Sequence, residues 1–104
     1  MTEKTDTTFF ERADAHIALS NEQLRTTEGA RVAASTVFGA ARFNAWMCAN
    51  MNGSAERMKQ RRDEAEGVFL DEYRRMFLEN YDDYVANWDR YNSAGGSIVT
   101  RPKI

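Results

Sequence analysis

Residues Ala30 to Met51, ARVAASTVFGAARFNAWMCANM, constrain the fold more than any other stretch, because as a helix they carry apolar side chains nearly all the way round. At about 100° per residue, Val32, Thr36, Gly39, Phe43, Trp46 and Met47 fall on one side, and Val37, Phe38, Ala41, Ala45 and Cys48 on the other. Two apolar faces need two sets of partners, so this helix is expected at the centre of the fold, covered by the rest of the chain or by a second subunit. Gly39, Ala40, Ala41 and Ala45 would let neighbouring backbones approach closely without opening voids. Arg31, Arg42, Asn44 and Asn50 interrupt the run short of the roughly 18 to 20 consecutive apolar residues of a membrane span.

The flanking segments read as two further helices. Met1 to Asp6 are polar and aperiodic, a frayed end, and the first helix should start near Thr7, capped by Asp6 or Thr7. Phe9, Phe10, Ala13, Ile17 and Leu24 form its stripe, with Leu19 standing off it on the polar side. Thr26, Thr27, Glu28 and Gly29 should end it, the glycine supplying a left-handed cap. After the central helix, Asn52, Gly53 and Ser54 are the clearest turn signal, and Ser54 is the natural N-cap of the third helix.

The third helix opens with a densely charged run from Glu56 to Glu66 in which Met58 and Ala65, seven apart, are the only apolar residues. From Val68 the pattern strengthens: Phe69, Tyr73, Met76, Phe77, Tyr81, Tyr84, Val85, Trp88 and Tyr91 recur at threes and fours. Gly67 costs about 1 kcal/mol in a helix interior relative to alanine, offset only in part by pairs such as Asp71 with Arg75 and Arg75 with Glu79. One long helix through Gly67 is predicted. The run Ser93 to Ser97 is linker-like, so residues 1–92 are expected to form a single helical domain and 93–104 a flexible tail.

The fold class predicted is therefore all-α, an antiparallel three-helix arrangement with a long C-terminal helix, completed by oligomerisation. At 104 residues the chain can bury a modest core, and its one proline, Pro102, leaves every earlier segment free to be helical. A net charge of -2 gives no global attraction to nucleic acid or anionic lipid, so neither is an expected partner. One cysteine cannot form an internal disulfide and no secretory leader pattern opens the sequence, which together point to a cytoplasmic setting.

No motif specifies a reaction, a metal or another cofactor. His16 is the only histidine and reads as a boundary polar residue. Cys48 has apolar neighbours rather than the electropositive setting of a reactive thiol. Glu79, Asp82 and Asp83 have carboxylates at i, i+3 and i+4, but without the Glu-x-x-His pattern of di-iron bundles they read as a solvated acidic face. The aromatics of the third helix could stack on bases, except that the same helix carries a surplus of carboxylates.

Arg42 is the most informative polar residue, since it lies within AARFNAW on a helix whose other directions are apolar. It either pairs with a carboxylate of the first or third helix, Glu72 being the first candidate, or binds an anion in a pocket rimmed by Trp46, Tyr73 and Tyr81. The stretches AARFNAW, HIALSNEQ and DEYRRMFLENYDDYVANWDRY resemble a family of short bacterial proteins known as a domain of unknown function, three-one-four-four. The resemblance covers about residues 8 to 92 and implies an all-helical protein, with no activity and no site residues to carry over. Two functional expectations follow: a small interaction or structural protein acting as a homo-oligomer, most simply a dimer, with another protein as an alternative partner, or a ligand-binding or enzymatic bundle built around Arg42.

Overall fold

The structure, a computed structural model, describes residues 8–92, and among them every regular element is a helix. The elements are α1 (Phe9–Gln23), α2 (Gly29–Asn52), α3 (Ala55–Gln60), α4 (Arg62–Ala86) and α5 (Trp88–Asn92). The all-α class with a long C-terminal helix is as expected, while the third helix is divided by two interruptions into α3, α4 and α5. The frayed end, the capping residues Asp6 and Thr7, and the tail 93–104 lie outside the described residues. The chain divides into two compact units, the first ending at Val37 and the second beginning at Phe38, so the boundary falls within α2.

In the first unit, Thr8 precedes α1 and its hydroxyl accepts from the Arg12 guanidinium at 2.7 Å rather than from a backbone amide of the first turn. The helix ends at Gln23 in a tight turn, where Thr26 N and Thr27 N both donate to the Gln23 carbonyl. The chain then reverses, and Ser20 and Thr36 meet hydroxyl to hydroxyl at 3.5 Å. Val32, only 5 % exposed, is the one buried hydrophobic residue among those described. Thr36 and Ser35 donate their hydroxyls to its carbonyl at 2.8 and 3.0 Å, so both hydroxyl protons are spent on the helix itself and the Thr36 oxygen is left to accept from Ser20.

Gly29 does not supply the left-handed cap expected of it. It is the first residue of α2, and the one positive φ among the described residues is that of Gly53, at 79°. The start of α2 is held instead by Glu28, whose carbonyl accepts from Val32 N and whose carboxylate lies 3.4 Å from Arg31 Nε.

In the second unit, Gly53 ends α2, donating its N–H to the Ala49 carbonyl, and Ser54 turns extended. The Ser54 hydroxyl accepts from Arg57 N at 3.2 Å, the N-cap read from the sequence. The long helix runs uninterrupted through Gly67, as expected, and the break falls upstream at Arg61. There Arg61 N is shared between the carbonyls of Arg57 and Met58, a tightened last turn after which α4 begins at Arg62. Arg75 bridges Glu72 at 2.8 Å and Glu79 at 3.4 Å, so its N-terminal partner is Glu72 and not the Asp71 expected from i, i+4 spacing.

Among the described residues the chain itself does not cover the central helix, the first of the two arrangements expected. Phe38 is 69 % exposed, and Phe43, Trp46 and Met51 are exposed as well. A Cβ added at Gly39 would meet nothing within 4 Å, so the close helix approach expected there is not made by this chain. Leu19 is exposed, as its position off the α1 stripe implied.

Candidate functional site

Within the second unit, α2, α3 and the first turns of α4 enclose an apolar groove of about 610 Å³. Ala41, Ala45 and Cys48 line the α2 wall at i, i+4 and i+7, one face of the helix. Met58 of α3 and Ala65 of α4, the pair spaced by seven in the charged run, are both half-buried and both line it. Spaced by seven, these two positions fall on one helical face, and Phe69 and Leu70 line the same groove. Lys59, Arg61, Arg62 and Glu66 stand at the polar rim.

A second groove of about 550 Å³ shares Cys48, Ala65 and Phe69 with the first and is bounded by the larger Phe43, Met47 and Met51 with Val68. Cys48 is half-buried and free. The Asn52 amide caps the end of α2 by donating to the Cys48 carbonyl at 2.8 Å.

The second feature is the outer face of α4. Leu70, Tyr73, Phe77, Tyr81 and Val85 recur at three and four residues and are all exposed. Their rings form a ladder, with Tyr73 stacked on Phe77 at 5.8 Å between centroids and Phe77 against Tyr81 at 5.7 Å. Leu70 belongs both to this face and to the groove, so the two apolar surfaces are continuous.

At the far end, the Asp83 carboxylate braces the junction of α4 with α5. It accepts from Asn87 Nδ2 at 2.9 Å and from the Tyr91 hydroxyl at 2.5 Å, and the Tyr84 and Tyr91 rings lie 4.5 Å apart. Donating to this carboxylate, with some loss of hydration, holds the Tyr91 phenol above its ordinary range. The acidic face flagged in the sequence is thus partly occupied, Glu79 by Arg75 and Asp83 by Asn87 and Tyr91.

The four candidate ligand-binding residues do not converge on either groove. Tyr73 and Tyr81 share the α4 face, joined through Phe77, and are 53 and 58 % exposed. Arg42 and Trp46 lie one turn apart on α2, where Trp46 packs its ring against Phe43 at 5.7 Å. The expected pairing of Arg42 is not found: it is exposed, no carboxylate of the described residues is within ion-pairing distance, and Glu72 is taken by Arg75. Its long side chain reaches water directly and needs no acid.

The alanine-lined groove itself was not read from the sequence. Its signal was present in the i, i+4, i+7 run of Ala41, Ala45 and Cys48 and in the Met58–Ala65 spacing, but joining the two walls required the turn at Gly53 between α2 and α3. Among the described residues no helix is long and apolar enough to cross a membrane.

No curated protein matches this sequence. Among solved structures, the NMR structure of the protein NB7890A from Shewanella sp. is similar, with a TM-score of 0.70 and 30 % sequence identity over 90 % of this chain and 98 % of that one. A family profile matches residues 9–85, most of the described helical region, and the chain belongs to that family, the protein of unknown function DUF3144.

Proposed function

We propose that this chain is a small helical interaction protein that works as a homo-oligomer, most simply a dimer, in the cytoplasm, with a structural or scaffolding role rather than a catalytic one and with neither nucleic acid nor membrane as its partner. The observation that carries the reading is the continuous apolar surface of the second unit, where the groove at the α2–α3–α4 junction runs into the exposed aromatic face of α4. Soluble monomers rarely leave contiguous apolar surface of this kind open, and its usual use is association. The alternative, an anion site at Arg42, has less support, because Arg42 and Trp46 share no groove with Tyr73 and Tyr81.

Sedimentation velocity across a concentration series up to tens of micromolar tests the reading. A species at twice the 11.9 kDa chain mass or more supports it, and a single 11.9 kDa species at every concentration refutes it.

A further inference from the structure

The chain has five methionines and one cysteine, and two of the methionines flank the cysteine in the run MCANM, residues 47–51. Met51 lies four residues beyond Met47 and three beyond Cys48, the two spacings at which helical side chains are neighbours, with Cβ atoms roughly 5 to 6 Å apart. A helical side chain leans back over the preceding turn, which carries Met51 toward the other two. All three line the second groove. Met51 is 77 % exposed and Met47 37 %, so packing within the chain leaves both side chains accessible. The turn that carries Met51 is held at its end, where Asn52 Nδ2 donates to the Cys48 carbonyl at 2.8 Å and Gly53 N to the Ala49 carbonyl at 3.0 Å.

Three properties choose the ligand for this cluster. Thioether and thiolate are soft donors that favour Cu(I), and among the described residues no three of His, Cys, Asp and Glu come together to hold a harder ion. Met51 lies in the last turn of α2, the negative end of the helix dipole, and no basic residue occupies that turn to offset it. Phe43, Val68 and Phe69 wall the groove, and net charge is costly in such surroundings. A monovalent cation on one thiolate leaves no net charge, whereas a divalent ion leaves one positive charge uncompensated.

We infer that Met47, Cys48 and Met51 form a three-sulfur site for a soft monovalent cation, Cu(I). Cys48 binds as the thiolate, its proton passing to solvent, and no electron changes hands.

As apolar contacts, in this chain or in the association proposed above, methionine and leucine are close to interchangeable, and both are good helix formers. As metal ligands they are not, and the test uses that difference. The full chain and the variants Met47→Leu, Met51→Leu, Cys48→Ser and Met58→Leu are titrated with Cu(I) under anaerobic, reducing conditions against a chromogenic Cu(I) chelator, with helicity checked by circular dichroism. Wild type and Met58→Leu should withdraw one Cu(I) per chain with equal affinity, since Met58 does not line this groove. Met47→Leu and Met51→Leu should each lose at least the roughly 10- to 100-fold that removing an outer-shell partner alone costs a metal site, and Cys48→Ser should lose more. A wild-type chain that takes no Cu(I) from the chelator overturns the site. Leucine variants that bind as tightly as wild type overturn it as well, because the thiolate then acts alone. Neither result depends on the oligomeric state, which sedimentation reads separately.

Discussion

The same substitution, glycine to alanine, should move stability in opposite directions at Gly53 and Gly67, because the two glycines meet different backbone demands. Gly53 sits at φ 79°, where an L-residue brings its Cβ against the following carbonyl, and nothing around it otherwise obstructs a methyl group. The left-handed conformation costs alanine about 1 to 2 kcal/mol, and the reduced freedom of the unfolded chain returns only about 0.4 to 1 kcal/mol. The net loss should be near 1 kcal/mol. Gly67 lies inside α4, and a Cβ there also meets nothing within 4 Å, so alanine gains its full helical preference of about 0.5 to 1 kcal/mol. The separation between the two variants is therefore about 2 kcal/mol, or roughly 8 to 16 °C in Tm for a domain of this size. Urea and thermal melts followed by far-UV circular dichroism measure it, at one fixed protein concentration so that any association contributes equally. If both variants shift the midpoint in the same direction, the conformations assigned to these two glycines are wrong.

Removing the Ser54 hydroxyl in Ser54→Ala strands the Arg57 amide at the start of α3 and should cost about 1 kcal/mol in a urea melt, with Ser54→Asp restoring most of it. Arg42→Met should change stability by less than about 1 kcal/mol in the same assay, since no carboxylate depends on it; a loss several times larger would reinstate the buried pair. The Tyr91 phenol, held up by Asp83 and titrating above the ordinary 10.0, should move down in Asp83→Asn, visible as earlier tyrosinate absorbance in an alkaline titration of the variant against wild type. Because the folded-state value is raised, the stabilising contribution of the bond is complete below about pH 10 and is lost as pH rises through the raised value; unfolding melts across that range should show the loss in wild type and not in Asp83→Asn.

Local structure was legible wherever one residue's chemistry settles one turn. Ser54 caps because its hydroxyl reaches Arg57 N, and Gly53 turns because no other residue type adopts its φ so cheaply. Gly29 misled because a glycine between two helices can serve either the end of one or the start of the next, and the backbone hydrogen bonds around Glu28 decide that, not composition. The break at Arg61 carries no sequence signal of its own: the residues around it are good helix formers, and the interruption shows in the Arg61 dihedrals, φ -102° and ψ 14°, and in its shared N–H. Arg42 was misassigned because its helix was taken to be covered on every side, and an arginine on an exposed helix has no need of an acid.

That last point bears on function as much as on Arg42. The all-round apolar character of residues 30–51 is a property of the sequence and does not depend on what packs against it, yet Phe38, Phe43 and Trp46 stand exposed, and so do Tyr73, Phe77 and Tyr81 on α4. Exposing one aromatic is ordinary; exposing a ladder of them along one helix, continuous with a groove walled by alanines, leaves large side chains without small ones to receive them and small side chains without large ones to fill them. Both deficits are met at once if large residues of one copy meet small residues of another. Gly39 gives this a discriminating consequence: with open space around it in the single chain, Gly39→Ala should raise helix stability by about 0.5 to 1 kcal/mol. If α2 of a second copy comes close at Gly39, the added methyl group should instead weaken association, and a concentration-dependent melt separates the two results. Stabilisation at every concentration would confine the contact to the α4 face, whereas a loss that grows with concentration would extend it onto α2.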